Sequence, residues 1–190
     1  MAVVEHVLRG RGLPPFEIKV KGGFDNLRST LRVELRASDL RHLGVIVDAD
    51  TSIDSRWQSI QNVLRGAGYG GVPELPDPTG TVIRDDGRPA VGIWLMPDNR
   101  MGGTLEIFAS QLIPAGDQLW PRARACVGSL KAEERLFKPA DVPKAEIHTW
   151  LAWQQEPGLR MGTAIAAKFL DPAAVEAEVF VRWIQRLLAA

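Results

Sequence analysis

The spacing of apolar residues over the first hundred positions predicts helices and strands in alternation. Recurrence every three or four positions predicts helices in three segments: residues 3–8, 24–35 and 53–64. Strands are predicted in four segments, by period-two alternation at residues 16–20 and by apolar runs at residues 43–47, 81–83 and 90–96. This order is typical of an α/β fold with a mainly parallel sheet and helices on both of its faces.

Beyond residue 100 the pattern is almost entirely helical. Apolar stripes predict helices that contain Leu105, Leu119, Ile147 and Phe180, and the last of them carries a broad apolar face. Such a face must be buried, so the C-terminal helix is expected to dock on the rest of the chain. We therefore predict an α/β core over residues 1–113 and a helical extension, packed on that core, over residues 114–190.

Composition and charge exclude several classes of protein. The 190 residues are 45% hydrophobic, and 23 Lys and Arg balance 23 Asp and Glu, so no overall basic field holds nucleic acid. No apolar run approaches the ~20 residues of a membrane helix, and no signal peptide pattern is present. The single cysteine, Cys126, permits neither an internal disulfide nor a thiolate metal cluster. We expect a cytoplasmic protein without membrane contact.

Two aspartates at the end of the predicted strand 43–47 are the first candidate site. If the strand alternation continues, Asp48 and Asp50 point the same way at the carboxyl end of a parallel strand, where open α/β sheets bind ligands. Two carboxylates side by side repel each other unless a cation lies between them, and Mg²⁺ prefers carboxylate oxygens. The alternative is that these aspartates cap the helix that begins near Ser52.

Two further acids are candidates for the same magnesium site. Asp98 follows the predicted strand 90–96, so it reaches the carboxyl edge if that strand runs parallel to residues 43–47. Glu106 begins the next predicted helix, after two glycines. The alternative is that Asp98 only forms a turn and that Glu106 only places a favourable charge at a helix N-terminus.

The segment at residues 144–154 is rich in aromatic residues. Lys144 and His148 lie four positions apart on one helical face and are candidates for binding phosphate, with a solvated lysine and a structural histidine as the alternative. We interpret Trp150 and Trp153 as core residues.

Three segments carry a resemblance to a known family. They are GVIVDADT at residues 44–51, VGIWLMPDN at residues 91–99 and KAEIHTWLAWQ at residues 144–154. Together they resemble uncharacterised bacterial proteins of the Toprim-like superfamily, whose members include topoisomerases, primases and overcoming-lysogenization-defect nucleases. The resemblance implies a Toprim-like, Rossmannoid sheet and Mg²⁺-dependent chemistry on nucleic-acid phosphodiesters. It also implies that Asp48 and Asp50 are the Asp-x-Asp pair of the superfamily, with Asp98 and Glu106 nearby.

The chain departs from that superfamily at two points. A Toprim domain opens with a strand that ends in a catalytic Glu, and this chain begins after that strand; Glu5 lies in a helical pattern and does not replace it. Ile107 stands where a second carboxylate is expected after Glu106. Either translation begins upstream and supplies this strand, or the chain is a degraded member of the superfamily. For the 190 residues as given we expect little or no Mg²⁺-dependent DNA nicking, because the proton-transferring group is missing from them, and no catalytic residue is assigned.

Three functions follow as hypotheses. The first is a Toprim-like protein with a magnesium site at Asp48 and Asp50, descended from enzymes that act on nucleic-acid phosphodiesters, with a nucleic acid or a nucleotide as partner. The second is a non-catalytic binding module that keeps the fold, with a partner protein supplying any activity. The third is a haloacid-dehalogenase-like phosphatase with Asp48 as nucleophile and Asp50 as general acid.

Overall fold

A computed structural model describes residues 2–189, in which seven helices and three strands are formed. In chain order they are α1 Ala2–Leu8, α2 Phe24–Glu34, β1 His42–Asp48, α3 Ile53–Gly66, β2 Thr81–Ile83, β3 Ala90–Met96, α4 Leu105–Gln111, α5 Leu119–Gly128, α6 Val142–Ala152 and α7 Val175–Leu188. The predicted α/β class is confirmed, as is the helical character beyond residue 100.

The three strands form a small mixed sheet in the order β1-β3-β2. β1 and β3 are parallel, with His42 opposite Ala90 and Asp48 opposite Met96. β2 is antiparallel to β3, as expected for two strands joined by a short turn. The sheet therefore holds one parallel and one antiparallel pair, so a mainly parallel character is not confirmed.

The predicted strand at residues 16–20 is wrong. These residues form no strand, and Phe16 and Val20 are exposed. Instead Lys19 of this segment and Lys21 directly after it reach the end of α2: Lys21 Nζ donates to Glu34 Oε1 at 2.5 Å, and Lys19 Nζ lies 3.9 Å from Glu34 Oε2. Alternation alone does not make a strand, because its backbone groups need a neighbouring strand as hydrogen-bond partner.

The two faces of the sheet are covered by different helices. One face packs against α2 and α3 in a buried cluster that includes Val45, Val91, Ile93, Leu95, Leu31, Leu35, Trp57, Ile60 and Leu64. On the other face Trp94 makes an edge contact with Phe180 at 5.1 Å between ring centroids, and lies 5.5 Å from Trp183. Successive residues of β3 thus contribute to opposite faces, as strand geometry requires.

A pair of glycines lets the last turns of α7 approach the sheet. Gly44 and Gly92 are opposite each other in the β1–β3 register. A Cβ at Gly92 would lie 2.7 Å from Leu187 Cδ2, and one at Gly44 would lie 3.3 Å from the same atom. A larger residue at position 92 would therefore require the Leu187 and Trp183 side chains, or the helix that carries them, to shift.

The helical region after β3 has its own core, in which one of two predicted core tryptophans is found. Trp150 of α6 is buried, and its Nε1 donates to Asp117 Oδ1 at 3.1 Å. That same oxygen accepts from the backbone N–H of Leu119 and Trp120 and so holds the start of α5. Trp153 is 41% exposed, so its assignment to the core is wrong: it follows the last residue of α6, where the helical face no longer continues.

The chain divides into two compact units. One comprises residues 2–9 with Leu105–Glu178, and the other comprises Gly10–Thr104 with residues 179–189. The second unit contains the whole sheet, α2, α3 and the C-terminal part of α7. The division at residue 113 stays a prediction.

Candidate functional site

The parallel pairing of β1 with β3 decides which acids share the carboxyl edge of the sheet. Asp48 is the last residue of β1 and lies opposite Met96, the last residue of β3. The backbone N–H of Ala49 extends the ladder by donating to Met96 O at 3.2 Å. Asp98 follows Met96 by two residues, so Asp48 and Asp98 leave the sheet at the same edge.

Asp50 lies beyond the end of the strand alternation. Its backbone is left-handed, with φ of 52°, and its N–H donates to Gly103 O at 2.9 Å. The loop after β3 therefore crosses the exit of β1, and it passes so close that a Cβ at Gly102 would lie 2.7 Å from Asp50 O. Since β1 ends at Asp48, the alternation of side-chain direction along a strand does not determine where the Asp50 side chain points.

The Asp50 carboxylate is bound by an arginine of α3. Arg56 Nη2 donates to Asp50 Oδ2, and the Arg56 guanidinium lies over the Phe24 ring, with Cζ 3.7 Å from the ring centroid. The Arg56 side chain is only 13% exposed, whereas Asp50 is 54% exposed. This pair is a charge-assisted hydrogen bond backed by a cation–π contact, which orients Arg56 toward Asp50.

Sequence reasoning missed Arg56 and Phe24 as parts of this edge. One signal was available, since a cation near the N-terminus of a helix is disfavoured by the helix dipole unless an anion lies close by. Arg56 is the fourth residue of α3, and Asp50 precedes that helix by three residues. The helix cap is Ser52, whose Oγ accepts from Ser55 N at 3.2 Å, so the alternative that the two aspartates cap α3 is wrong.

The turn after β3 uses its polar side chains to bind backbone. Asp98 Oδ1 accepts from the N–H of Arg100 at 3.0 Å and of Met101 at 3.2 Å. Asn99, 2% exposed and left-handed, accepts from Leu95 N at 2.7 Å through Oδ1. Its Nδ2 is a buried donor for which the part of the chain seen here supplies no acceptor.

The remaining candidates lie elsewhere in the chain. Glu106 is a half-buried residue in the first turn of α4 and belongs to the other compact unit. Lys144 and His148 are exposed on α6, and Glu146 between them lies 3.7 Å from Arg124 Nε. Within residues 2–189 no group of three or more His, Cys, Asp or Glu side chains is arranged to hold a metal ion.

Comparison with known proteins gives a family but no activity. Residues 1–189 match the family described as protein of unknown function (DUF3226). The chain belongs to the DUF3226 family. Comparisons with curated proteins and with solved structures gave no match. Over residues 2–189 of this DUF3226 chain, no helix is long and apolar enough to span a membrane.

The acids at the sheet edge of this DUF3226 protein do not fit a ready-made magnesium centre. A magnesium ion needs several carboxylate oxygens that are open to it, with water completing an octahedron. Asp50 is bound by the guanidinium of Arg56, and Asp98 Oδ1 already accepts two backbone N–H groups. The Asp50 charge is therefore balanced by Arg56, and one oxygen of Asp98 is already used by the turn after β3.

Proposed function

We propose that the protein is a non-catalytic binding module that keeps a Toprim-like α/β core and takes a nucleic acid or a nucleotide as its partner. The observation that carries this proposal is the ion pair between Arg56 and Asp50. The resemblance implies that Asp50 belongs to a metal-binding pair, yet in this chain a cation of the protein binds its carboxylate. A fixed guanidinium balances that charge but cannot supply the open coordination positions of a metal.

Displacing the Arg56 side chain from Asp50 would cost free energy. That side chain is largely buried and stacked on Phe24, so turning it into solvent would forfeit both the ion pair and the cation–π contact. A divalent cation at Asp50 would have to meet that cost in addition to shedding water. We therefore expect weak magnesium binding and no magnesium-dependent cleavage by this chain.

The second candidate function is a magnesium-dependent enzyme that acts on nucleic-acid phosphodiesters. The observation that favours it is the parallel β1–β3 pairing, which brings Asp48 and Asp98 to one edge of the sheet. Under this alternative Asp48 is indispensable, because it is the acid that ends the strand.

The experiment combines magnesium titration with plasmid nicking on four proteins. Calorimetry and a Mg²⁺-dependent nicking assay are run on the wild type, Asp48→Asn, Arg56→Gln and the control Arg65→Gln. Arg65 lies on the same helix and pairs at 3.2 Å with the exposed Glu74, away from Asp50. We expect no nicking above the Asp48→Asn background, and we expect Arg56→Gln, but not Arg65→Gln, to bind magnesium more tightly than the wild type.

Robust nicking by the wild type that requires Mg²⁺ and disappears in Asp48→Asn would overturn the proposal in favour of the enzyme. Equal magnesium affinity in the wild type and Arg56→Gln would show that the ion pair does not control access to Asp50, and would remove the observation on which the proposal rests.

A further inference from the structure

A polar cleft of about 360 Å³ lies between α2 and α3. Five of its lining residues carry polar side chains: Arg28, Ser29 and Arg32 from α2, and Ser59 and Asn62 from α3. The apolar residues Val63 and Gly66 complete the lining, and none of the lining residues is acidic. The cleft is therefore a concave surface with two cations and no anion among its walls.

Helix geometry explains why these side chains meet. Arg28 and Arg32 are four residues apart, and Ser59 and Asn62 are three apart, so each pair occupies one face of its helix. The neighbouring positions Leu31, Leu35, Ile60 and Leu64 are buried in the core against the sheet. The packing of the two helices thus leaves their polar faces side by side at the surface.

Arg32 is held over the end of α3. Its Nη2 donates to Gly66 O, and a Cβ at Gly66 would lie 3.1 Å from that nitrogen. A guanidinium has five N–H donors in one plane, so this contact leaves others for a ligand. Gly66 is the small residue that allows the guanidinium to lie there.

Arg28 and Asn62 complete the set of donors. Arg28 Nη2 lies 3.2 Å from Asp25 Oδ1, an exposed pair on the first turns of α2. Such an exposed pair is weak and yields readily to a stronger anion. Asn62 is exposed and brings an amide that donates two hydrogen bonds.

We propose that the cleft between α2 and α3 binds the phosphate group of a nucleotide or of a nucleic-acid strand. Two guanidinium groups and an amide on one concave surface match the several acceptor oxygens and the negative charge of phosphate. The inference deepens the proposed function by naming a binding surface, and it rests on that function for the choice of these two phosphate sources. It does not depend on whether the sheet edge holds a metal.

The test measures binding of three probes to the full chain: inorganic phosphate, thymidine 5′-monophosphate and a fluorescent single-stranded oligothymidylate. The variants are Arg28→Gln and the matched control Arg36→Gln, which removes the same charge from an exposed arginine that follows α2 and does not line the cleft. We expect Arg28→Gln to weaken phosphate binding about tenfold, the effect of losing one hydrogen bond to a charged group. Arg36→Gln is expected to change it by no more than about twofold.

The outcomes distinguish a nucleotide from a nucleic-acid strand as the source of the phosphate group, and two of them would overturn the inference. If the wild type binds the monophosphate but not the oligonucleotide, and Arg28→Gln loses that binding, the cleft is a nucleotide site. If the wild type binds the oligonucleotide and Arg28→Gln loses that binding, the cleft contacts nucleic acid. No binding of any probe by the wild type, or equal losses in both variants, would overturn the inference. Neither result changes the magnesium titration or the nicking assay, so the non-catalytic character of the proposed module is tested separately. Probe binding that is lost equally in both variants would leave the proposed partner in place but move its site away from the cleft.

A second variant guards against a purely structural effect. Gly66→Ala leaves both arginines in place but puts a Cβ against the guanidinium of Arg32. If Arg32 contacts the ligand, this variant should weaken phosphate binding while the melting temperature stays at or above that of the wild type, since alanine favours a helix over glycine. Unchanged phosphate affinity in Gly66→Ala would remove Arg32 from the site.

Discussion

The sheet edge around Asp50 and the cleft around Arg28 both carry charge at the surface of the same compact unit, but they handle it differently. At the edge, opposite charges meet: the Asp50 carboxylate is bound by Arg56, which also stacks on Phe24. In the cleft, two cations line a cavity without an acid among its walls. The Asp50 charge is balanced by a largely buried guanidinium, whereas in the cleft Arg28 pairs with the exposed Asp25 and Arg32 donates to the Gly66 carbonyl. The cleft therefore keeps positive charge that an anion from outside can neutralise.

The largest expected effect comes from a residue on which both regions depend. Trp57 of α3 is buried, directly follows Arg56 in sequence and precedes the cleft residue Ser59 by two positions, and its Nε1 donates to Glu74 O at 3.1 Å. Replacing it by alanine should cost about 3–5 kcal/mol in the free energy of unfolding. Chemical denaturation measures this cost, with Trp57→Phe as the milder control; a cost below about 1 kcal/mol in Trp57→Ala would show that α3 does not depend on this side chain.

The next effect separates the edge from the cleft. Arg56→Gln removes the partner of Asp50 and the contact with Phe24, so we expect a loss of about 1–2 kcal/mol from the two interactions together. In a double-mutant cycle with Asp50→Asn, the two substitutions should not be additive, because each removes the same ion pair. Additive effects in denaturation experiments would mean that the pair is not a structural unit.

A smaller effect is expected from a second balanced pair, Lys21 with Glu34. The hydrogen bond from Lys21, together with the charges of Lys21 and Lys19, lowers the pKa of Glu34 below its usual value despite some desolvation. A lowered pKa in the folded state stabilises the protein at pH values above the unfolded pKa, and this contribution disappears as the pH falls through the folded pKa. Glu34→Gln should therefore be less stable than the wild type near neutrality, by less than about 1 kcal/mol, and equally stable in acid. A stability difference that is independent of pH would contradict this assignment.

The smallest effect on stability is expected in the cleft. Arg28 makes an exposed ion pair with Asp25, and its Cζ lies 6.0 Å from the centroid of the Phe24 ring, a distant contact compared with the 3.7 Å of Arg56. Arg28→Gln should therefore change the free energy of unfolding by no more than about 0.5 kcal/mol. Arg28→Gln is thus expected to lose phosphate binding and to keep its stability, whereas Arg56→Gln is expected to lose stability. If Arg28→Gln proved as destabilising as Arg56→Gln in the same denaturation experiment, the distinction between the two regions would collapse.

Local pattern was enough to predict most helices and the parallel strands β1 and β3. The apolar runs at 43–47 and 90–96 predicted β1 and β3, because continuous apolar residues favour a strand that packs in a sheet. Within residues 2–189, burial on both faces is found only for β3, the central strand; β1 is an edge strand in which Val45 is the buried residue, so its expected full burial is wrong. Ser52 was recognisable as the start of α3 because an N-cap is a local interaction between a side chain and the backbone three residues on. The alternation at residues 16–20 misled, since a strand exists only where another strand accepts its hydrogen bonds.

The candidate site likewise has features that follow from local sequence and features that depend on the tertiary structure. The sequence by itself determined that Asp48, Asp50 and Asp98 lie at or just beyond the ends of strands, because hydrophobic periodicity depends on neighbouring residues alone. Only the tertiary structure decided that Arg56, stacked on Phe24, binds the Asp50 carboxylate, and that Arg28 and Asn62 line the same cleft. These contacts depend on how α2 and α3 pack on β1 and β3, and that packing is set by side chains distant in sequence that are buried together.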